Sequence, residues 1–243
     1  MDSTKSSQRA NTPFSERTFL ANAAHELRTP LHSANGFLEL ALEGMAGSLT
    51  ERQREMLGYA HLAIGQLGIL LEDVLFIARV DSGELVPRPA KVAPGALITR
   101  AIESVRDQAR EKNVALTESI ADMPATVRVD GERVREGLAG LLRGGLALAF
   151  PGGSLNVVAT TRDNLLCVTA TLDGVRLSAA DLRHLFDRFY QPQPLGAERA
   201  AHLGLGLVIA QTTAAWHGGC ARAEATPDGR DLILAFELPI SCP

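Results

Sequence analysis

The chain has 243 residues, enough for one large domain or two ordinary ones, and its 46% hydrophobic content provides for a real core. Lys plus Arg number 24 against 28 Asp plus Glu, a net charge of −4, so no basic excess points to nucleic acid and no polybasic run to an anionic membrane. Residues 1–13 lack a signal-peptide pattern, the longest uninterrupted apolar runs (67–71) fall far short of the roughly 20 residues that span a bilayer, and the three scattered cysteines, Cys167, Cys220 and Cys242, suggest free thiols in a reducing, cytoplasmic setting without a metal site.

Residues 1–13 are polar, end at Pro13 and are expected as a tail or linker. Leu20, Ala24, Leu27, Leu31, Ala34, Leu38, Ala41 and Met45 then step alternately by four and three, a heptad seam. Gly44, Gly47 and Ser48 interrupt it, and a second seam follows a cap at Thr50: Leu57, Ala60, Ile64, Leu67, Leu71, Val74 and Ala78. Two long helices joined by a short turn predict an antiparallel hairpin over 14–84. A lone hairpin leaves an apolar stripe wet, so a homodimeric four-helix bundle is expected; packing of the hairpin on its own C-terminal domain is the alternative.

Pro87 and Pro89 make 85–90 an extended linker. The domain over 91–243 is predicted to run helix 94–111, strands 114–120 and 126–129, and a helix capped by Asp130. Strands 155–161 and 165–171 follow, then helices 180–189 and 205–216, and a final hairpin of 221–225 and 232–238. That order reads as an α/β sandwich with one sheet under a helical layer.

The chemistry concentrates in Ala24-His25-Glu26-Leu27-Arg28-Thr29-Pro30-Leu31. A neutral imidazole at His25 can attack phosphorus, and Glu26 can orient the ring and take its proton. Thr29 lies one helical turn on and can hold a water. Pro30 removes a backbone donor just past the histidine. His25 flanks the seam and faces outward, as do Arg28, His32, Asn35 and Glu39, a candidate docking face for a partner.

This string resembles the phospho-acceptor box of two-component histidine kinases. Residues 14–84 resemble their dimerisation and phosphotransfer domain, and 91–243 their ATP-binding domain of α/β sandwich type. The resemblance implies a receiver domain of a response regulator as partner. It also implies an ATP site, and there the sequence departs from the pattern. Gly140 and Gly144 stand where the family carries the Asn pair that binds Mg²⁺ and phosphate, and Ala147 where Lys is common. Glycine offers no oxygen to a hard cation. Leu172 falls at the adenine-binding Asp, unless a one-residue slip brings Asp173 there; Gly174 is kept, but Arg176 replaces the next Gly. In the last Gly-rich box His202 replaces the first Gly, while Gly204 and Gly206 remain to free backbone N–H groups for phosphate, or as vestiges kept for packing. His217, in Trp216-His217-Gly218-Gly219, is expected to be structural.

Three functions follow. The first is a phosphorelay phosphotransferase or phosphatase that exchanges a phosphoryl group between His25 and a receiver aspartate, with no cofactor. The second is an active kinase that autophosphorylates His25 from Mg-ATP. The third is a pseudokinase that sequesters a signalling partner. The intact Glu26 and Thr29 favour the first over the third, and the losses at 140, 144, 172 and 176 favour it over the second.

Overall fold

The computed structural model describes residues 16–45, 47–83, 85–121, 123–192 and 204–240, with side chains from Glu26 onward. The chain divides into two compact units between Leu85 and Val86.

The first unit is a helical hairpin of α1 (Glu16–Leu42) and α2 (Glu51–Asp81). Gly44 and Gly47 reverse the chain at φ +85° and +108°, values that side chains disfavour. Thr50 starts α2 through a capping box: its hydroxyl accepts the Gln53 N–H, and Gln53 Oε1 accepts the Thr50 N–H at 2.9 Å. Arg54 donates to the Leu42 carbonyl at 2.9 Å, satisfying an orphan acceptor at the end of α1. Leu31, Ala34, Leu38 and Ala41 are half-buried, as are Leu57, Ile64, Leu71 and Val74. Leu75, Phe76 and Ile77 near the end of α2 are buried, but other apolar side chains of the hairpin are uncovered: Leu27 and Leu67 are each 55% exposed, Phe37 is 73%, and Met56 and Tyr59 are open too. By length and composition alone α2 could cross a bilayer, which the short uninterrupted runs did not signal.

The second unit holds β1 (Ala90–Val92), α3 (Pro94–Glu103), α4 (Arg106–Glu111), β2 (Ala115–Ile120), β3 (Val127–Val129), α5 (Gly131–Leu148), β4 (Ser154–Arg162), β5 (Leu165–Leu172), α6 (Ala179–His184), α7 (Leu205–Trp216), β6 (Cys220–Ala225) and β7 (Leu232–Pro239). Five strands form one sheet in the order β2-β4-β5-β7-β6, with β2 parallel to β4 and the other pairs antiparallel. Alternate residues of β4, β5 and β7, among them Leu155, Val157, Val168, Leu172, Leu234 and Phe236, are buried in the same core as Leu138, Leu141 and Leu142 of α5. This is the expected sandwich.

Residues 85–89 carry no helix or strand; the Arg88 N–H donates to Asp130 Oδ2 at 2.8 Å, and β1, which begins at Ala90, pairs with β3. Two local expectations are corrected. The helix expected over 94–111 breaks at Ser104 and Val105. Ser104 Oγ donates to the Ala101 carbonyl at 2.7 Å, a side-chain bond that competes with the helix, and the break buries Val105 in the core. The helix expected over 180–189 stops at His184, and Phe189 takes a left-handed φ of +62°.

Asp130 is a structural hub. Its Oδ1 accepts the Arg133 N–H that opens α5, and its own N–H donates to His217 Nε2 at 3.1 Å. His217 Nδ1 in turn lies 2.8 Å from the Thr213 carbonyl. Both ring nitrogens therefore serve the fold, with the proton on Nδ1. Lys112 closes the other end of α5, donating to the Leu146 and Ala147 carbonyls at 2.7 and 2.9 Å.

Candidate functional site

His25 lies inside α1, so helical spacing puts Arg28 and Thr29 one turn on and His32 two turns on; its side chain lies outside the described residues. Glu26, Thr29, His32 and Glu39 are all exposed. Pro30 leaves the Glu26 carbonyl without its helical donor, and Ser33 Oγ donates to the Thr29 carbonyl at 3.0 Å one turn later. Two residues of the expected docking face are less open than the sequence indicated. Asn35 is half-buried; its Nδ2 donates to Glu39 at 2.8 Å and its Oδ1 is enclosed without a hydrogen-bond partner. Arg28 is tied across the hairpin, its Nε 2.8 Å and its Nη2 2.6 Å from Glu72 Oε1 on α2. An exposed pair of this kind contributes about 0–1 kcal/mol to stability.

The positions that the resemblance assigns to the nucleotide site are occupied by packing. Gly137, Gly140 and Gly144 form one stripe on α5, and α7 lies directly on it. A Cβ on Gly140 would stand 2.5 Å from the Gly206 carbonyl oxygen, and a Cβ on Gly206 2.6 Å from that of Gly140. A Cβ on Gly144 would stand 2.6 Å from the Leu207 side chain, and one on Gly137 2.8 Å from Thr213 Cβ. The sequence presented Gly140 and Gly144 as lost ligands; the structure shows what they permit, a helix crossing at backbone distance. Leu172, at the adenine position, is fully buried, and its side chain meets Gly145 beside Leu155 and Leu234. Asp173, its alternative, is exposed at the strand end and its N–H donates to the Ser154 carbonyl. Gly174 has φ +72° and donates its N–H to Asp231 Oδ1 at 3.0 Å. Gly204, at φ +69°, begins α7, and a Cβ there would meet the Tyr190 carbonyl at 2.6 Å. Both glycines of that box therefore have a fold reason to be glycine. His202 lies outside the described residues.

The titratable groups with displaced pKa are structural. Hydrogen bonds from the Ser178 and Tyr190 hydroxyls hold the Asp181 carboxyl below its ordinary range, in the box that caps α6. The Arg222 guanidinium, 2.6 Å away, does the same for Glu237 on the sheet. Burial pushes the Cys167 thiol up, away from thiolate chemistry. No group of three His, Cys, Asp or Glu among the described residues could hold a metal.

A helical hairpin with His-Glu-x-x-Thr-Pro on its first helix, followed by a mixed sheet under helices, is the arrangement that the resemblance to two-component histidine kinases calls for. Residues 15–83 match the His Kinase A (phospho-acceptor) domain family. The chain belongs to the two-component sensor histidine kinase family. Over 229 residues it is 28% identical to the Non-motile and phage-resistance protein of Caulobacter vibrioides, covering 91% of this chain and 27% of that one. Over 233 residues it is 30% identical to the Sensor protein DivL of the same organism, covering 92% and 28%. The chain thus spans little more than a quarter of these relatives' length. Among solved structures, full-length ShkA in complex with AMPPNP aligns with TM-score 0.70 at 24% identity, over 93% of this chain and 46% of ShkA. ThkA in complex with the response regulator protein TrrA aligns with TM-score 0.59 at 17% identity, over 92% and 61%. At these identities the structural likeness speaks to the fold.

Proposed function

We propose that the protein exchanges a phosphoryl group between His25 and the aspartate of a response-regulator receiver domain, by transfer, by hydrolysis or by both, without using ATP. The observation that carries this is the contrast between the two units. The acceptor box is whole in sequence, with Glu26, Thr29 and Pro30 exposed on α1, while positions 140 and 144 are packed against α7. No side-chain oxygen stands at 140, 144 or 172, so a Mg²⁺ ion and an adenine would lack the ligands the family gives them. In this reading His25 is the nucleophile, Glu26 takes or returns its proton, and Thr29 holds the water that hydrolyses the acyl phosphate. The regulator docks along Arg28, His32 and Glu39, and the second unit serves as a scaffold. Free thiols at Cys167 and Cys220 suit a reducing cytoplasm.

Autophosphorylation from ATP is the second reading, supported by the shared fold with ShkA and by the amides that open α7. Calorimetric titration of Mg-ATP into the whole chain separates the two. The expected result is no saturable binding at micromolar ATP and no His25 label from γ-labelled ATP; either signal returns the protein to the kinases.

The uncovered apolar arc of the hairpin is best closed by a second copy, so the working form is a homodimer. Leu67→Glu tests this, because Leu67 is 55% exposed in one hairpin and a charge there leaves a monomer intact. In a dimer it would bury two charges and forfeit about 1.5–3 kcal/mol of apolar burial per side chain. Light scattering should show the wild-type chain as a dimer at micromolar concentration and Leu67→Glu as a monomer. A wild-type monomer would end the dimer reading.

A further inference from the structure

We propose that Glu72 on α2 is a positioning residue for phosphoryl exchange at His25. It acts by holding Arg28 with the outer edge of its guanidinium turned toward the phosphoryl group in transit. This rests on the reading of His25 as the acceptor and adds a member to its site from the other helix.

Glu72 Oε1 takes Arg28 from the side, through Nε at 2.8 Å and Nη2 at 2.6 Å. A guanidinium is a planar fork with five N–H donors in fixed directions. A side-on partner leaves the end-on edge, Nη1 with the second Nη2 hydrogen, directed away from the carboxylate. That edge is the one that takes two phosphoryl oxygens at once. Arg28 keeps 42% of its side-chain surface exposed, so an incoming group can reach it. It follows His25 by three residues, a spacing that brings Cβ atoms to about 5–6 Å on a helix. Without Glu72 the side chain would sweep many rotamers, and its turn of α1 is the one Pro30 deprives of a backbone bond. The ion pair thus fixes one cation at the turn of the acceptor helix that Pro30 deprives of a backbone bond.

In the transfer step the receiver's P–O bond breaks and its aspartate leaves as a carboxylate. The N–P bond to His25 forms, and the imidazole proton passes to Glu26 or to water. The charge carried by the three phosphoryl oxygens is what Arg28 neutralises.

The test is single-turnover transfer from a panel of phosphorylated receiver domains to the whole chain, with rate measured against receiver concentration. Glu72→Gln should lower the limiting rate by about 10-fold, in the range that loss of positioning costs, and leave the half-saturating concentration and the melting temperature unchanged. Glu72→Asp, which keeps the charge, should recover most of that rate. Arg28→Glu with Glu72→Arg rebuilds the cross-helix ion pair but moves the cation to the wrong helix; melting should be kept and transfer should not return. Recovery of transfer in the swap, or a limiting rate in Glu72→Gln equal to wild type, overturns the proposal and reduces the pair to a structural tie. Absence of transfer in the wild-type chain itself overturns the phosphorelay reading, and this inference with it.

Discussion

Gly140→Asn, the residue the family carries at this position, should destabilise the second unit. Two effects oppose each other. Replacing a helical glycine by a residue with a side chain gains at most about 1 kcal/mol of helix propensity, less for Asn. Against this, the new Cβ falls 2.5 Å from the Gly206 carbonyl oxygen, a backbone atom that cannot turn aside. Overpacking of this kind costs about 1–3 kcal/mol and sometimes more, so the loss wins. In a unit of this size each kcal/mol shifts melting by about 2–4 °C, and thermal unfolding should show a fall of several degrees. Gly95→Ala in the first turn of α3 is the internal control. Nothing lies within 4 Å of a Cβ there, so it should stabilise by about 0.4–1 kcal/mol. Gly144→Asn should also destabilise, and Leu207→Ala in the same chain should recover part of the loss, because Leu207 is what it strikes. A Gly140→Asn protein that melts no lower than wild type would show that the α5–α7 contact yields to a side chain at this position, and the packing account of Gly140 would fall.

Local patterns carried the architecture. The heptad seams, the caps at Thr50 and Asp130, and the period-two burial of β4 and β5 each depend on residues near in sequence. What escaped depends on distant partners. β1 is three residues long and exists because β3 pairs with it some forty residues on. The break at Ser104 comes from a single hydroxyl that could equally have faced solvent. The glycines of α5 looked like losses because α7, their reason for being small, lies more than sixty residues away. A signal was present in their spacing: Gly137, Gly140 and Gly144 recur by three and four, which places small residues along one helix face and marks a close crossing. Glu72 gave no such sign. Only the hairpin register, with Leu31 packed on Gly68, brings it opposite Arg28. Asn35 was placed outward by helical phase alone, which cannot tell a solvated edge from one closed by the second helix.

His25→Ala should abolish phosphoryl transfer from a phosphorylated receiver, because none of the residues that follow on its turn, Glu26, Leu27, Arg28 and Thr29, offers an unprotonated nitrogen nucleophile. Thr29→Ala should spare transfer and slow hydrolysis. Thr29 is an exposed residue one turn past His25, and in this reading its hydroxyl is the group that positions water. Groups of this kind are worth about 10²–10⁴-fold, so release of inorganic phosphate from the receiver should fall by about two orders of magnitude or more while the acid-labile, base-stable label on His25 persists longer. The two variants thus separate two chemistries on one helical turn. Equal loss of transfer and hydrolysis in Thr29→Ala would make it part of the transfer machinery and remove the phosphatase role assigned to it. If every receiver in the panel fails to react with the wild-type chain, yet one binds tightly and binds His25→Ala equally well, the acceptor box is a docking surface. The protein then acts by holding its partner, and the chemistry assigned to His25 is wrong.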